Sequence, residues 1–337
     1  MLREVITKIS DGKVLTREEA RQALERILDE KVSPVQTAAF LIALRTRGER
    51  SEELLGMLDA MKARMKRVIC SDPKAIDVCG TGGDGSGSFN ISTAAGLVAA
   101  AAGVTVAKHG NRAVSSRSGS ADLLAALGIS IDAPIPVLEK CLAEQKFAFL
   151  FAPMHHGAMK VVAPIRKELA TRTVFNLLGP LANPAGVKRQ LVGVFHPRWL
   201  RPVAETLQAA GAERALVVHS DEGWDEISAA RPTSFIELKD GTLKEGSILP
   251  RELPLGAGEI KEPCGGDADE NAEHLHALAA NRELALLPWV VVNAGAAIYL
   301  SERADSIAEG CEIAADVIRS GKLAKLIEAL KKYHRAP

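Results

Sequence analysis

The 337-residue chain is poor in aromatic residues, 4% by count, and carries no net formal charge, 42 basic side chains standing against 42 acidic ones. That balance argues against a general nucleic-acid binder, which needs a basic excess to displace counterions. No apolar run approaches the ~20 residues that cross a bilayer, and the opening Met1-Leu2-Arg3-Glu4 is charged where a secretory signal would be apolar. The five cysteines, Cys70, Cys79, Cys141, Cys264 and Cys311, are odd in number and far apart, so they form neither a zinc spacing nor a disulfide framework. These absences predict a protein of the reducing cytoplasm with no membrane and no nucleic-acid partner. What is present in quantity is Ala, Leu, Val and Ile, apolar residues reaching 47%. Such a composition suits helices packed on a parallel sheet.

Glycine is concentrated in one place. Gly80-Thr81-Gly82-Gly83-Asp84-Gly85-Ser86-Gly87-Ser88 holds five glycines within its first eight positions, which leaves almost no side chain between backbone N–H groups and a guest above them. Phe89-Asn90-Ile91-Ser92-Thr93 then leads into the alanine-rich run 94–102, so the loop feeds the N-terminus of a buried helix, where free amides and the helix dipole favour an anion. After the short apolar run Val104–Ala107 comes a second loop, Lys108 to Ser120, with cations, an amide and hydroxyls. No acidic residue lies between Asp84 and Asp122, while Lys108, Arg112 and Arg117 do. A local positive field that grips phosphate is the expectation.

Gly80 to Gly85 also satisfies the G-x-G-x-x-G pattern of dinucleotide-binding folds, and the fit is poor. That fingerprint wants its third glycine in the first helical turn and an acid about 20 residues on. Here the loop continues past Gly87, and Thr105 to Lys108 occupy the place of the acid. No Gly-Lys-Ser/Thr follows, which excludes a P-loop.

Residues 1 to about 70 predict helices alone: a capping box at Thr16–Glu19, a Ser33-Pro34 start and a third start at Ser51. From Ile76 short apolar runs alternate with helices, which predicts an α/β domain with a mostly parallel central sheet. The expected strands are Ile76–Cys79, Val104–Ala107, Ala148–Phe151, Gln190–Gly193, Arg214–His219, Thr233–Glu237 and Trp289–Val292. A second all-helical patch around 155–185 interrupts them. The expectation is a small helical domain, 1–70 joined by that insertion, and a large domain built from 71–154 and 186–337.

Asp77 to Asp84, Asn90-Ile91-Ser92-Thr93, Lys108-His109-Gly110-Asn111-Arg112, Arg172 to Leu181 and Asp225-Glu226 closely resemble the anthranilate phosphoribosyltransferase family, from the first helix to the last and in family order. The resemblance implies a nucleoside phosphorylase-like fold, a cleft between two domains, and a homodimer through the small helical domain. It implies transfer of phosphoribose from phosphoribosyl pyrophosphate to the amine of anthranilate, with pyrophosphate released and two magnesium ions as cofactor. The family's phosphoribosyl pyrophosphate contacts would fall on Gly80, Gly83, Asp84, Ser88, Asn90, Ile91, Ser92, Thr93, Lys108, His109, Gly110, Asn111, Arg112, Ala113, Val114, Ser115, Ser116 and Ser120. Anthranilate would meet Gly80, Asn111 and Arg166, and magnesium Ser92, Asp225 and Glu226.

The residue chemistry agrees. Charge grows on the leaving pyrophosphate while the ribose becomes oxocarbenium-like, so preorganised donors and a hard cation stabilise the change. The aryl amine is neutral at pH 7, so no acid or base residue is assigned. His155 and His156 stay open between packing groups and walls of the anthranilate site. Three departures stand out: Gly157 where the family has proline, Trp224 where it has an aliphatic residue, and Ala279 to Glu283 in place of a glycine-containing turn. The rivals are a pyrimidine nucleoside phosphorylase of the same fold and a non-enzymatic nucleic-acid-binding relative. The Asp225-Glu226 pair and the Asn90–Thr93 motif speak against the first, zero net charge against the second.

Overall fold

The structure, a computed structural model, describes residues 2–113, 117–255, 260–282 and 285–333. It opens with α1 (Leu2–Ser10), α2 (Arg17–Leu28), α3 (Pro34–Arg47) and α4 (Ser51–Lys62). The caps are local chemistry. Thr16 Oγ1 accepts from the Glu19 N–H at 3.2 Å while Glu19 accepts from the Thr16 N–H at 2.8 Å. Ser33 and Gln36 repeat the exchange ahead of Pro34, whose missing N–H costs nothing at a first helical position.

Then comes the alternating part: β1 (Ile76–Gly80), α5 (Ile91–Ala101), β2 (Val106–Gly110), α6 (Ser120–Ala126), α7 (Ile135–Gln145) and β3 (Phe147–Phe151). The helical insertion holds α8 (Ala152–His155), α9 (Ala163–Leu169) and α10 (Val174–Leu181). The chain returns to the sheet with β4 (Arg189–Gly193), α11 (Leu200–Ala209), β5 (Arg214–Ser220), β6 (Thr233–Lys239) and β7 (Thr242–Ile248). It closes with α12 (Ala268–Ala279), α13 (Leu287–Leu300), α14 (Ile307–Arg319) and α15 (Lys322–Tyr333).

The sheet order is β3-β2-β1-β4-β5-β6-β7, parallel from β3 to β5 and antiparallel at β6 and β7. Both faces are covered. Val78, Leu191, Leu216 and Val218 face a core with α5, α7, α13 and α14, while Cys79, Val192, Ala215 and Val217 face a core with α2, α3, α4, α10 and α11. Val162, Val174, Phe175 and Leu178 of the insertion share that second core with Phe40, Leu41, Leu44 and Leu54 of the N-terminal helices.

Two expectations need correction, and one strand was unforeseen. Trp289–Val292 is not a strand but the first turns of α13, buried on nearly every side against α5 and α14. A helix apolar all round carries no periodicity, and the Val290-Val291-Val292 run imitates a buried strand. β2 begins at Val106 and extends through Gly110, which puts Lys108 and His109 in the sheet and not in the following loop. β7 was not expected at all. Its residues are mostly exposed, and Asp240 (φ 52°) with Gly241 (φ 71°) makes the left-handed hairpin turn that joins it to β6.

Candidate active site

The site grows from a reversal in strand order. β1 runs on to β2 and β3 on one side, while the chain later returns as β4 and β5 on the other, and the carboxyl ends of strands at such a switch point are where α/β sheets place a ligand crevice. Gly80 and Gly193 pair there in register. A Cβ on Gly193 would stand 1.6 Å from the Asp225 carbonyl oxygen, and one on Gly80 would stand 2.4 Å from Asp225 Oδ2. Both glycines are absences of side chain that admit Asp225, delivered by the loop after β5.

Gly82, Gly83, Gly85 and Gly87 all adopt left-handed φ values of 62–79°, so the loop needs glycine for its backbone path. Asp84 Oδ1 accepts from the Ser86 N–H at 3.1 Å and turns the chain inward. The far end is pinned by Pro263, whose carbonyl accepts from Phe89 N–H at 2.7 Å, and by the Gly265 N–H, which donates to Gly87 O at 2.9 Å. Two carboxylates reach the loop from far along the chain. Asp225 Oδ2 accepts from the Gly82 N–H at 2.6 Å, and Glu226 Oε1 accepts from the Ser92 N–H in the first turn of α5 at 3.1 Å. Asp84 Oδ2 lies 3.4 Å from the Asp225 N–H. Burial pushes the Asp225 carboxyl up, with Asp84 adding to it, and burial beside Asp225 pushes Glu226 up. Acids crowded in this way are relieved by a divalent cation.

The donor set suits a hard ion: carboxylates of Asp225 and Glu226, the nearby Asp84, and the Ser92 hydroxyl. Among the described residues no three acidic, histidine or cysteine side chains form a closed metal cage. Such a set fits an ion that keeps waters and shares phosphate oxygens.

The basic loop is more compensated than its sequence implies. Lys108 is 1% exposed, and its Nζ donates to Val78 O at 2.6 Å and lies 3.3 Å from Ser92 Oγ. Burial holds its pKa down, against the pull of Asp77. Arg112 Nη1 donates to Asp122 at 2.7 Å and Arg117 Nη2 to Glu270 at 3.0 Å. The expected positive field therefore does not come from those two arginines, since each meets an acid at or beyond the edge of the acid-free stretch. Asn111 Oδ1 accepts from the Arg112 N–H at 2.8 Å, and the Ala113 N–H donates to Asp122 at 2.9 Å. Gly110 packs on the Phe149 ring and on Ser120, where α6 begins. Val114, Ser115 and Ser116 lie outside the described residues.

The Asn90–Thr93 motif divides. Asn90 Nδ2 donates to Ser118 O at 3.1 Å and Asn90 Oδ1 accepts from Asn271 Nδ2 at 2.9 Å, which ties the two loops to the start of α12. Ile91 is buried in the apolar core, whereas Thr93 is buried with its Oγ1 unpartnered among the described residues. Ser88 bridges to Cys264 at the loop's end.

The histidines form a buried group. His109 Nδ1 donates to Gly179 O at 3.1 Å and His155 Nδ1 to Lys66 O at 3.0 Å. The Nε2 atoms of His109, His155 and His156 are buried without partners among the described residues. Burial drives His109 down to about 3 and His156 to about 4, so both are neutral at pH 7. The His109 and His156 rings lie 5.1 Å apart.

Arg166 on α9 is half-buried with its guanidinium 5.4 Å from the Phe175 ring, and burial lowers its pKa. Sequence reasoning passed over Arg172, Asn271 and Asp77 as individual site residues. Asp77 is fully buried, accepting from the His109 N–H at 3.1 Å and from Asn183 Nδ2 at 2.7 Å, and burial raises it to about 6. A lone acid inside an apolar strand was the available signal.

Residues 3–65 match the family model for the helical bundle domain of a glycosyl transferase family, and residues 72–324 match the α/β domain of that family. The fold and crevice are thus those of a two-part glycosyltransferase. The chain is 46% identical, over 99% of its own length and 97% of the relative's, to the anthranilate phosphoribosyltransferase of Azorhizobium caulinodans. It is similar to the crystal structure of that enzyme from Thermus thermophilus, with a TM-score of 0.90, 42% identity and coverage of 98% and 99% of the two chains. It is also similar to the Saccharomyces cerevisiae enzyme in complex with PRPP and Mg, with a TM-score of 0.88, 27% identity and coverage of 99% and 97%. The chain belongs to the anthranilate phosphoribosyltransferase family.

Proposed function

We propose that the crevice above β1 and β4 binds phosphoribosyl pyrophosphate and passes its phosphoribosyl group to the amine of anthranilate, with release of pyrophosphate. The observation that carries this reading is the meeting of Asp225 and Glu226 with the amides of Gly82 and Ser92. Hard oxygens and anion-binding N–H groups share one pocket, as a metal-linked diphosphate requires.

In this reading Gly80, Gly83, Asp84, Ser88, Asn90, Ser92, Thr93, Lys108 and Ser120 border the sugar diphosphate, Thr93 through its unpartnered Oγ1, with Ile91 packed behind them. Ser92, Asp225 and Glu226 would hold magnesium, two ions in the fuller form. Bound magnesium supplies charge neutralisation on the departing pyrophosphate. Loop amides other than those of Gly82 and Ser92, which donate to Asp225 and Glu226, orient the diphosphate before reaction. Arg166 takes the anthranilate carboxylate through two parallel N–H donors, beside Asn111. The neutral rings of His109 and His156 line a dry wall suited to an aromatic acceptor. The small domain is taken as 1–70 with the 155–185 insertion, the large one as the remainder. A homodimer through the small domain fits Val35, 79% exposed on α3, and the site of action is the cytoplasm.

Anthranilate is fluorescent, so the test is its disappearance on mixing protein, phosphoribosyl pyrophosphate and magnesium. Loss of fluorescence that stops with a chelator is expected. Phosphorolysis of thymidine or uridine, with anthranilate untouched, would replace this reading by the nucleoside phosphorylase one.

A further inference from the structure

The cations bordering the glycine loop are not equal. Lys108 is occupied by Val78 O and Ser92 Oγ, Arg112 by Asp122, and Arg117 by Glu270. One more guanidinium reaches the loop from the opposite wall. Arg172, in the connection between α9 and α10, donates from Nη2 to Gly83 O. Its Nε stands 3.3 Å from where a Cβ on Gly83 would be. The guanidinium lies 4.4 Å from the centre of the Phe195 ring, just beyond β4. Among the described residues it meets no carboxylate, and its side chain stays exposed.

Its main chain is gripped separately: Arg45 of α3 donates from Nη1 to Arg172 O at 2.6 Å and also contacts Thr171 Oγ1. Arg172 therefore belongs to the helical side of the molecule and touches the α/β side at the loop expected to hold the diphosphate.

We propose that Arg172 is a further substrate-binding residue, a cation that takes a phosphate oxygen of the diphosphate held over Gly83 and draws the helical wall onto it. This rests on the function proposed above. A guanidinium has five N–H donors in a rigid fork, so donation to Gly83 O leaves others for phosphate. Stacking on Phe195 pre-orients that fork. Because α3 holds the same residue by its carbonyl, diphosphate binding and closure of the helical wall become one event.

The alternative role is a tether that shapes the loop through the Gly83 carbonyl alone. Arg172→Gln separates the two, since it retains an N–H donor for the carbonyl and removes the charge. Binding of inorganic pyrophosphate with magnesium is measured by calorimetry on the full chain, together with melting temperature and the KM of each substrate. Arg172→Gln is expected to weaken pyrophosphate about 10-fold and raise the KM for phosphoribosyl pyrophosphate alike, with the anthranilate KM and melting temperature unchanged. Arg172→Lys, which keeps the charge, should recover part of that affinity. Wild-type pyrophosphate affinity in Arg172→Gln overturns the proposal, as does an equal rise in both KM values. Should wild type itself neither bind pyrophosphate nor consume anthranilate, the underlying function falls as well, which distinguishes the two failures.

Discussion

Gly193 and Asp225 are in mutual contact by necessity: a methyl group on Gly193 would overlap the Asp225 carbonyl oxygen at 1.6 Å. The glycine ends β4, and the aspartate follows β5, the next strand in the sheet. A shift of either residue moves the carboxylate that accepts from the Gly82 N–H.

Gly193→Ala is therefore expected to displace the Asp225–Glu226 loop while leaving the strands paired. A displacement near 1 Å costs on the order of 100-fold in turnover, and overpacking costs about 1–3 kcal/mol of stability. Steady-state kinetics with a far-ultraviolet circular dichroism control checks it. Wild-type turnover in this variant would show that the loop is not held by its floor.

Arg166 and Asp84 should fail in different ways. Arg166→Ala removes a charge-assisted pair worth about 1.5–3 kcal/mol, so the anthranilate KM should rise roughly 10- to 100-fold with little change for phosphoribosyl pyrophosphate. Asp84→Ala should show the reverse, because Asp84 shapes the loop and stands beside Asp225. Equal effects of both variants on both substrates would remove the assignment.

The buried imidazoles predict acid sensitivity. Folded pKa values of about 3 for His109 and about 4 for His156 lie below the ordinary 6.5. The unfolded chain then binds protons that the folded one refuses, so this contribution is complete above pH 6.5 and is lost as pH falls toward about 4 for His156 and about 3 for His109. By pH 5 each ring costs about 2 kcal/mol. His156→Gln should flatten the acid limb of a melting-temperature profile between pH 6.5 and 5. An unaltered slope would mean that the ring is protonated in the fold or is not desolvated there.

Much of the scaffold was legible because its causes are local. Thr16 meets Glu19 and Ser33 meets Gln36 three residues on, and Asp84 bonds Ser86 two residues on. The glycines of the loop announced their left-handed backbone by being glycines. α13 was misread because complete burial erases the 3.6-residue period, and β7 was missed because an exposed edge strand has no apolar face to display.

The amino-acid order by itself determined the caps, the glycine path and the chemical types available to the crevice, since each depends on a residue and its near neighbours. Only the tertiary structure decided which groups meet. Asp225 reaches Gly82 across 143 residues, Arg117 finds Glu270 across 153, and Arg172 comes to Gly83 across 89. The first contact is made by the order of strands in the sheet, the others by packing against it. Charge pairing follows distance in space, and no local pattern encodes it.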